Sequence, residues 1–389
     1  MSIQRLNPAE PPQLWTTCLH GDKSRASRCP TRDLLLGAIP GEGVGPEVIA
    51  ASLEVLQAVA SATGLTLQVR EGGAIGRDAE RQCGQVLTRD VVEFCHEIFD
   101  AGGAVLCGPG GGRFVYDARM AFDLFFKISP LQKINGLTDI CRLKPEWVRD
   151  LDILVVRENC GGAYQGIWRE TDEAAHHEFS YSAAGVRRFL TAAARLSASR
   201  SRHLTVVWKE SGVPGISRLW QRCMAEVAET ENVTFSMVDI DLMSYRLISE
   251  PSAFDVIATP NMFGDVLGDL GAVLLGARGI SFSGNYSADG HRAIYQTNHG
   301  AAYDLAGQQV ANPAGQIFSA AMMLRESFGL WREAAAVEKA VQTVWKNGYR
   351  TRDVAVSGCR VVRTGELAAM VAEQVHGQLG RESSAAAYS

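Results

Sequence analysis

Three short apolar runs, DLDILVVREN at 150–159, SRHLTVVWKES at 201–211 and FDVIATPN at 254–261, each end on polar residues. Segments this short and this apolar read as buried strands whose polar ends emerge at one rim of a sheet. The stretches at 33–39 and 103–112 are of the same kind, and a further strand is expected at 65–73. Helical spacing fills the intervals at 48–61, near 88–101, and over 173–198, 215–229, 262–278 and 316–328. Such alternation argues for an α/β fold with covering helices, and open sheets of this class bind ligands beyond the carboxyl ends of their strands.

At 389 residues the chain can bury a large core and has room for two or three domains. Charged residues make up 21% and the net charge is -5, so neither disorder nor a global basic field for nucleic acid or an anionic membrane is expected. Nine cysteines with no CxxC pair argue against a disulfide framework or a thiolate zinc site and fit a reducing cytoplasm. The apolar stretches are too short, or too interrupted by arginine, to span a bilayer. Residues 1–30 lack the apolar core of a secretory signal, carry Glu10 and Asp22, and read as a loose polar extension.

Asp265 and Asp269 stand four apart in an otherwise apolar helical segment directly after a strand end, hence on one face about a turn apart. Two carboxylates that close repel unless a cation or proton lies between them, and an all-oxygen pair suits Mg²⁺ or Mn²⁺ better than zinc. Arg119 and Arg157 could hold a substrate carboxylate, and Arg157 ends the run DILVV just before ENCGGAYQG, whose glycines let the chain bend and bring Tyr164 near the strand end. Lys209 likewise ends LTVVW, where a desolvated amine with a lowered pKa is expected, or a lysine extending past Trp208. GEGVGP at 41–46 looks like a dinucleotide fingerprint, with Pro46 where a small residue is wanted. The loop NHGAAYDLAGQQVANP at 298–313 could clasp an adenosine, with Asp304 accepting from ribose hydroxyls, and an ordinary turn has the same composition. No phosphate-binding GKS/T string is present, which argues against a P-loop enzyme.

GEGVGPE, VRENCGGAYQG, WKES, FDVIATPNMFGDVLGD, NHGAAYDLAGQQVANP and GYRTRDV follow one another in an order that resembles the β-decarboxylating dehydrogenases of isopropylmalate, isocitrate, homoisocitrate and tartrate, over about residues 31–375. The resemblance implies an isopropylmalate/isocitrate-dehydrogenase-like two-domain fold rather than the standard Rossmann fold. Residues 31–130 and 280–389 would form a large cofactor-binding domain, and 131–279 a small domain with the dimer interface. It also implies NAD-dependent oxidation of a malate-like 2-hydroxy acid, with decarboxylation, assisted by Mg²⁺ or Mn²⁺, in a homodimer with shared active sites.

In that pattern Asp265 and Asp269 bind the metal and Asp239 joins them from the neighbouring subunit. Lys209, also donated across the interface, takes part in deprotonating the C2 hydroxyl, and Tyr164 returns a proton to the enolate carbon after CO₂ leaves. Arg119 and Arg157 match substrate-carboxylate arginines. Asn261, His299, Gly300, Asp304 and Asn312 match cofactor-binding positions, with Asp304 favouring NAD over its 2′-phosphorylated form.

Four positions depart from the pattern. Where it reads LFAN followed by LRP, this chain has FDLFFKISP, so Ser129 stands at a substrate-binding arginine, a change worth roughly 2–5 kcal/mol if the anion stays buried and unpaired. A smaller, less charged or differently placed acid is therefore expected. Gln296 replaces a glutamate, Leu270 follows the second metal aspartate where an acid is common, and Glu42 replaces an aspartate. Phe114, Val115 and Tyr116 either shape the variable pocket or pack the hinge, and Arg113 is a candidate for the charge missing at Ser129. Two alternatives stand beside this reading: a dehydrogenase of a tartrate-like or phosphonate-bearing acid without decarboxylation, and a catalytically silent regulatory subunit.

Overall fold

Pro46 opens the first helix and a left-handed Gly64 closes it, because proline's fixed φ suits a helix start and glycine alone takes the closing φ of 70° at no steric cost. This computed structural model describes residues 14–20 and 33–387, with side chains to 381. Its amino-terminal part runs β1 (Asp33–Ile39), α1 (Gly45–Thr63), β2 (Thr66–Glu71), α2 (Gly76–Cys83), α3 (Arg89–Asp100), β3 (Ala104–Cys107), α4 (Phe114–Ala121) and β4 (Phe126–Gln132). The middle comprises α5 (Pro145–Val148), β5 (Asp152–Glu158), a hairpin of β6 (Ile167–Glu170) and β7 (Ala175–Glu178), α6 (Ala183–Ala198), β8 (His203–Trp208), α7 (Pro214–Glu231), β9 (Thr234–Asp239), α8 (Ile240–Ser249), β10 (Val256–Thr259) and α9 (Asn261–Leu275). Then follow β11 (Phe282–Tyr286), β12 (Ala293–Thr297), α10 (Ala314–Glu326), α11 (Trp331–Lys346), the short β13 (Tyr349–Arg350) and β14 (Arg360–Val361), and α12 (Thr364–Ala387).

Ten strands form one sheet in the order β2-β1-β3-β12-β11-β4-β5-β10-β8-β9. The outer blocks are internally parallel, whereas β11 is antiparallel to β12 and β4, and β4 is antiparallel to β5. A standard Rossmann sheet has no such antiparallel seam; here it joins the two domains of the α/β fold. Because β4 and β5 run oppositely, the start of β4 lies beside the polar end of β5. That juxtaposition builds the site.

Two expectations change. The segment 173–198 is not one helix: β7 occupies Ala175–Glu178, and the helix begins only after Ser182, whose hydroxyl accepts the Gly185 N–H at 3.1 Å. Side chain and backbone there satisfy a free helix-end donor, which the apolar spacing downstream does not signal. The extension is not wholly loose either. Trp15–Leu19 forms a 3₁₀ turn in which Cys18 is buried, Thr16 donates to the buried Glu326 through both its N–H and its hydroxyl at 3.0 Å, and Arg325 lies over Trp15. The rest of residues 1–30 lies outside the described residues. The described cysteines are all free thiols, and no helix among the described residues is long and apolar enough to cross a membrane.

Candidate active site

Arg157, at the end of β5, is only 3% exposed, yet it carries a full guanidinium. Its Nε and Nη2 donate to Asn261 Oδ1 at 3.0 and 2.8 Å, and its Nη1 meets Asp265 Oδ1 at 2.5 Å. Asn261 in turn donates its amide to the carbonyls of Asn159 and Gly161, so the first turn of α9 and the bend after β5 are tied through one arginine. The close approach requires Gly264: a Cβ there would run into Thr259 Oγ1 and the Arg157 stem.

Tyr164 completes this group. Its hydroxyl donates to Asp265 Oδ2 at 3.0 Å, and its ring lies beneath the Arg157 guanidinium, 5.5 Å from the ring centre. Burial and the Asp265 carboxylate push the phenol up to about 12, so it stays protonated. Burial works to raise Asp265, but Arg157 and Lys127, with hydrogen bonds from Tyr164 and Arg157, outweigh it and hold the carboxyl below its usual range. Asp265 is thus an ionised, half-exposed oxygen donor next to a protonated phenol.

Arg119, from α4, is buried beside the same group, and its Nη1 has no hydrogen-bond partner among the described residues. Burial first, then the Arg157 charge, bring it down to about 9. Lys127 on β4 is 7% exposed, and burial together with Arg157 and Arg119 pushes its amine well below the usual range. The sequence reading passed over Lys127. A lysine inside the apolar run FDLFFKISP was the available signal, since lysine is rarely buried without a task. Ser129, two residues on, is also buried and pairs in register with Val155. Arg113 lies over Trp168 at 4.6 Å and over Tyr116, and donates to the Tyr164 carbonyl, with no hydrogen bond to Ser129 among the described residues. Phe114, Val115 and Arg119 line a small cavity with Asn285 and Gln296, while Tyr116 packs against Tyr164 with ring centres 5.0 Å apart and planes tilted by 55°.

Lys209 belongs to a separate group. Its Nζ meets Asp239 Oδ2 at 3.3 Å and Asp241 Oδ1 at 2.6 Å, and these carboxylates raise its pKa. The lowered pKa expected from a desolvated strand end is therefore corrected: the amine sits at the surface between two acids, where the ammonium form is favoured. No hydrogen bond or ion pair among the described residues links Lys209 or Asp239 to Arg157, Tyr164 or Asp265.

Among the described residues no three His, Cys, Asp or Glu side chains converge on a metal position. Asp265 and Asp269 share the open face of α9, and Asp269 meets Arg278 Nη2 at 3.0 Å. One chain offers two hard oxygen donors on this face, a set that suits Mg²⁺ or Mn²⁺ with waters filling the remaining positions.

The glycine turn after β1 and the 298–313 loop are joined. Val44 N–H donates to the Ala301 carbonyl at 2.8 Å, and Gly43, at φ +59°, leaves no room for a Cβ against that same oxygen. Glu42 is 2% exposed and accepts from Asp78 N–H, Gly111 N–H and the Tyr303 hydroxyl, fastening the loop to two neighbouring segments. Asp304 follows Tyr303 in an exposed turn, and Gly300 is also exposed. His299 Nδ1 pairs with the Gly300 carbonyl, and burial lowers its pKa. Asn312 is buried, bonded to Asp353 and to the first N–H of α10.

The family pattern of isocitrate/isopropylmalate dehydrogenases matches residues 35–371. A 3-isopropylmalate dehydrogenase of Halalkalibacterium halodurans is 35% identical over 341 residues, covering 83% of this chain and 92% of that protein. Another, of Geobacillus kaustophilus, is 36% identical and covers 85% and 93% respectively. The crystal structure of an isocitrate dehydrogenase from Methylococcus capsulatus superposes with a TM-score of 0.78 at 28% identity, covering 88% of this chain and 99% of that one. With its antiparallel seam and its arginine-centred site at the end of β5, the chain belongs to the isocitrate/isopropylmalate dehydrogenase family.

Proposed function

We propose that this protein oxidises a malate-like 2-hydroxy acid with NAD⁺ and removes the adjacent carboxylate, assisted by Mg²⁺ or Mn²⁺. The observation that carries the reading is Asp265, whose two oxygens are shared between a buried guanidinium and a protonated phenol at the mouth of the site. When bound, NAD⁺ takes the hydride and the divalent cation draws charge from the substrate oxygen. Asp265 and Asp269 would hold the cation, with Asp239 of a second copy as the third carboxylate.

Arg119 and Arg157 bind the acid. Tyr164, kept protonated by its surroundings, donates a proton to the carbon from which CO₂ departs. Lys209 reaches the site of a second copy and relays the C2 hydroxyl proton, passing one of its own to Asp241, 2.6 Å away, as it takes that one up. The separation of the Lys209 group from the Tyr164 group within one chain is what such sharing requires. Exposed Leu242, Tyr245, Met262 and Val266 on the mutually packed α8 and α9 supply an apolar face for a homodimer. The cofactor would lie along the 298–313 loop, with its ribose at Asp304, beside Gly300, His299 and Asn312; Asn261 would contribute by fixing Arg157 next to it. On this reading residues 31–130 with 280–389 act as the cofactor-binding unit and 131–279 as the subunit-contacting one.

A screen of 2-hydroxy acids with NAD⁺ and Mg²⁺ or Mn²⁺, following NADH by absorbance and CO₂ by coupled assay, tests it. One CO₂ per NADH is expected. NADH without CO₂ would favour oxidation of a tartrate-like acid alone, and NAD⁺ binding with no turnover of any acid would favour the silent subunit.

A further inference from the structure

Lys127 and Arg157 are direct cross-strand partners in the antiparallel β4–β5 pair. Partners of that kind share a face, with Cβ atoms about 4.5–5.5 Å apart, and like charges there oppose each other. Both side chains are buried, as is Arg119 beside them. Three cations thus surround a site where Asp265 is the carboxylate bonded to Arg157, and Asp269 is paired with Arg278. Neighbouring Glu158 points to the other face of β5, where it accepts the Cys160 and Gly161 N–H groups.

No hydrogen bond or ion pair among the described residues reaches Lys127 Nζ. Burial and the two neighbouring guanidiniums disfavour the ammonium form there, and an anion bound among the three groups would restore it. Ser129 lies two residues further along the same face of β4, about 7 Å away.

We propose that Lys127 is a third substrate-binding cation, which replaces at the next same-face position the charge absent at Ser129 and selects a hydroxy acid with two carboxylates. Arg119, Arg157 and Lys127 on this side of the sheet outnumber the carboxylate bonded to Arg157, which favours a ligand with a second anionic group. On this proposal the charge absent at Ser129 is made up from Lys127, which argues for two carboxylates where Ser129 alone led to the expectation of a less charged acid. The lysine offers a compact point charge rather than a planar fork, so it fixes charge without imposing bidentate geometry. The inference rests on the proposed hydroxy-acid chemistry for the nature of its ligand.

The test compares DL-malate with L-lactate, which share the 2-hydroxy acid unit and differ by one carboxylate, as ligands of the full-length protein without NAD⁺. Calorimetric or thermal-shift titration of wild type and Lys127→Met reads the affinities. Lys127→Met should fold, since it removes a charge from a like-charged cluster and breaks no hydrogen bond. Malate affinity is expected to fall roughly 10- to 100-fold in Lys127→Met while lactate binding changes little. Equal malate affinity in both proteins, an equal loss for lactate, or no malate binding to wild type overturns the inference. Lys127-dependent malate binding with no NADH from any hydroxy acid would leave the cation in place and remove the dehydrogenase; turnover with an unchanged KM in Lys127→Met would do the reverse.

Discussion

Arg157 Nη1 and Asp265 Oδ1 lie 2.5 Å apart, one side chain almost wholly buried and the other half exposed. The pair turns the end of a strand and the second turn of a helix into one rigid unit, with the carboxylate on the solvent side. Arg157→Met removes the donors to Asn261 Oδ1 as well as the cation beside Asp265. A loss of about 2–4 kcal/mol in urea unfolding is expected, together with loss of hydroxy-acid turnover. A variant as stable and as active as wild type would detach Arg157 from both roles.

The depressed pKa of Asp265 has a pH signature. A carboxyl held lower in the folded than in the unfolded chain contributes stability above its unfolded value, near ~3.9, and loses it as pH falls through the folded pKa. Wild-type Tm should therefore fall more steeply below about pH 4 than that of Asp265→Asn. Parallel Tm curves between pH 2.5 and 6 would contradict the assignment.

Tyr164→Phe removes one donor to a half-exposed carboxylate, so its stability should stay within about 1 kcal/mol of wild type. On the proposed mechanism its effect falls on the proton returned after decarboxylation. Single-turnover mixing should give a burst of NADH near the wild-type rate followed by slow steady turnover, with kcat down roughly 100-fold. An equal loss in burst and steady phases would place the phenol in the first step instead.

Glu42 holds three donors from three segments, one of them Tyr303 of the 298–313 loop proposed to take NAD⁺. Glu42→Ala leaves two backbone N–H groups unsatisfied and frees the loop, at a cost of about 2–4 kcal/mol. KM for NAD⁺ should rise far more than KM for the hydroxy acid. A selective rise for the acid would mean that Glu42 supports the wrong half of the site.

Chelation gives the fifth expectation. Exhaustive treatment with EDTA should abolish turnover and Mn²⁺ restore it, whereas Asp269→Asn should need a higher Mn²⁺ concentration for half-maximal rate. Full activity after chelation would exclude the carboxylates of α9 from metal chemistry.

The site was legible where chemistry follows from local order. Arg157 at the end of DILVV and the aspartates four apart in a helix after a strand end were readable because strand and helix periods act over a few residues. The glycine turn and the order of motifs likewise carried the fold class. Lys127 was not legible, because FDLFFKISP shows an apolar run with one lysine, and only the pairing of β4 with β5 sets that lysine opposite Arg157. The protonation of Lys209 depended on two acids from another strand and helix, and the docked Trp15–Leu19 turn on Glu326, 310 residues away from Thr16. The sequence by itself determined the central apolar strands, most of the helices beside them and which groups stand at their ends, since backbone propensity and side-chain period are local, although β7 lay hidden inside 173–198. The tertiary structure alone decided which charges face one another, since burial and electrostatic compensation arise only when distant strands are brought into register.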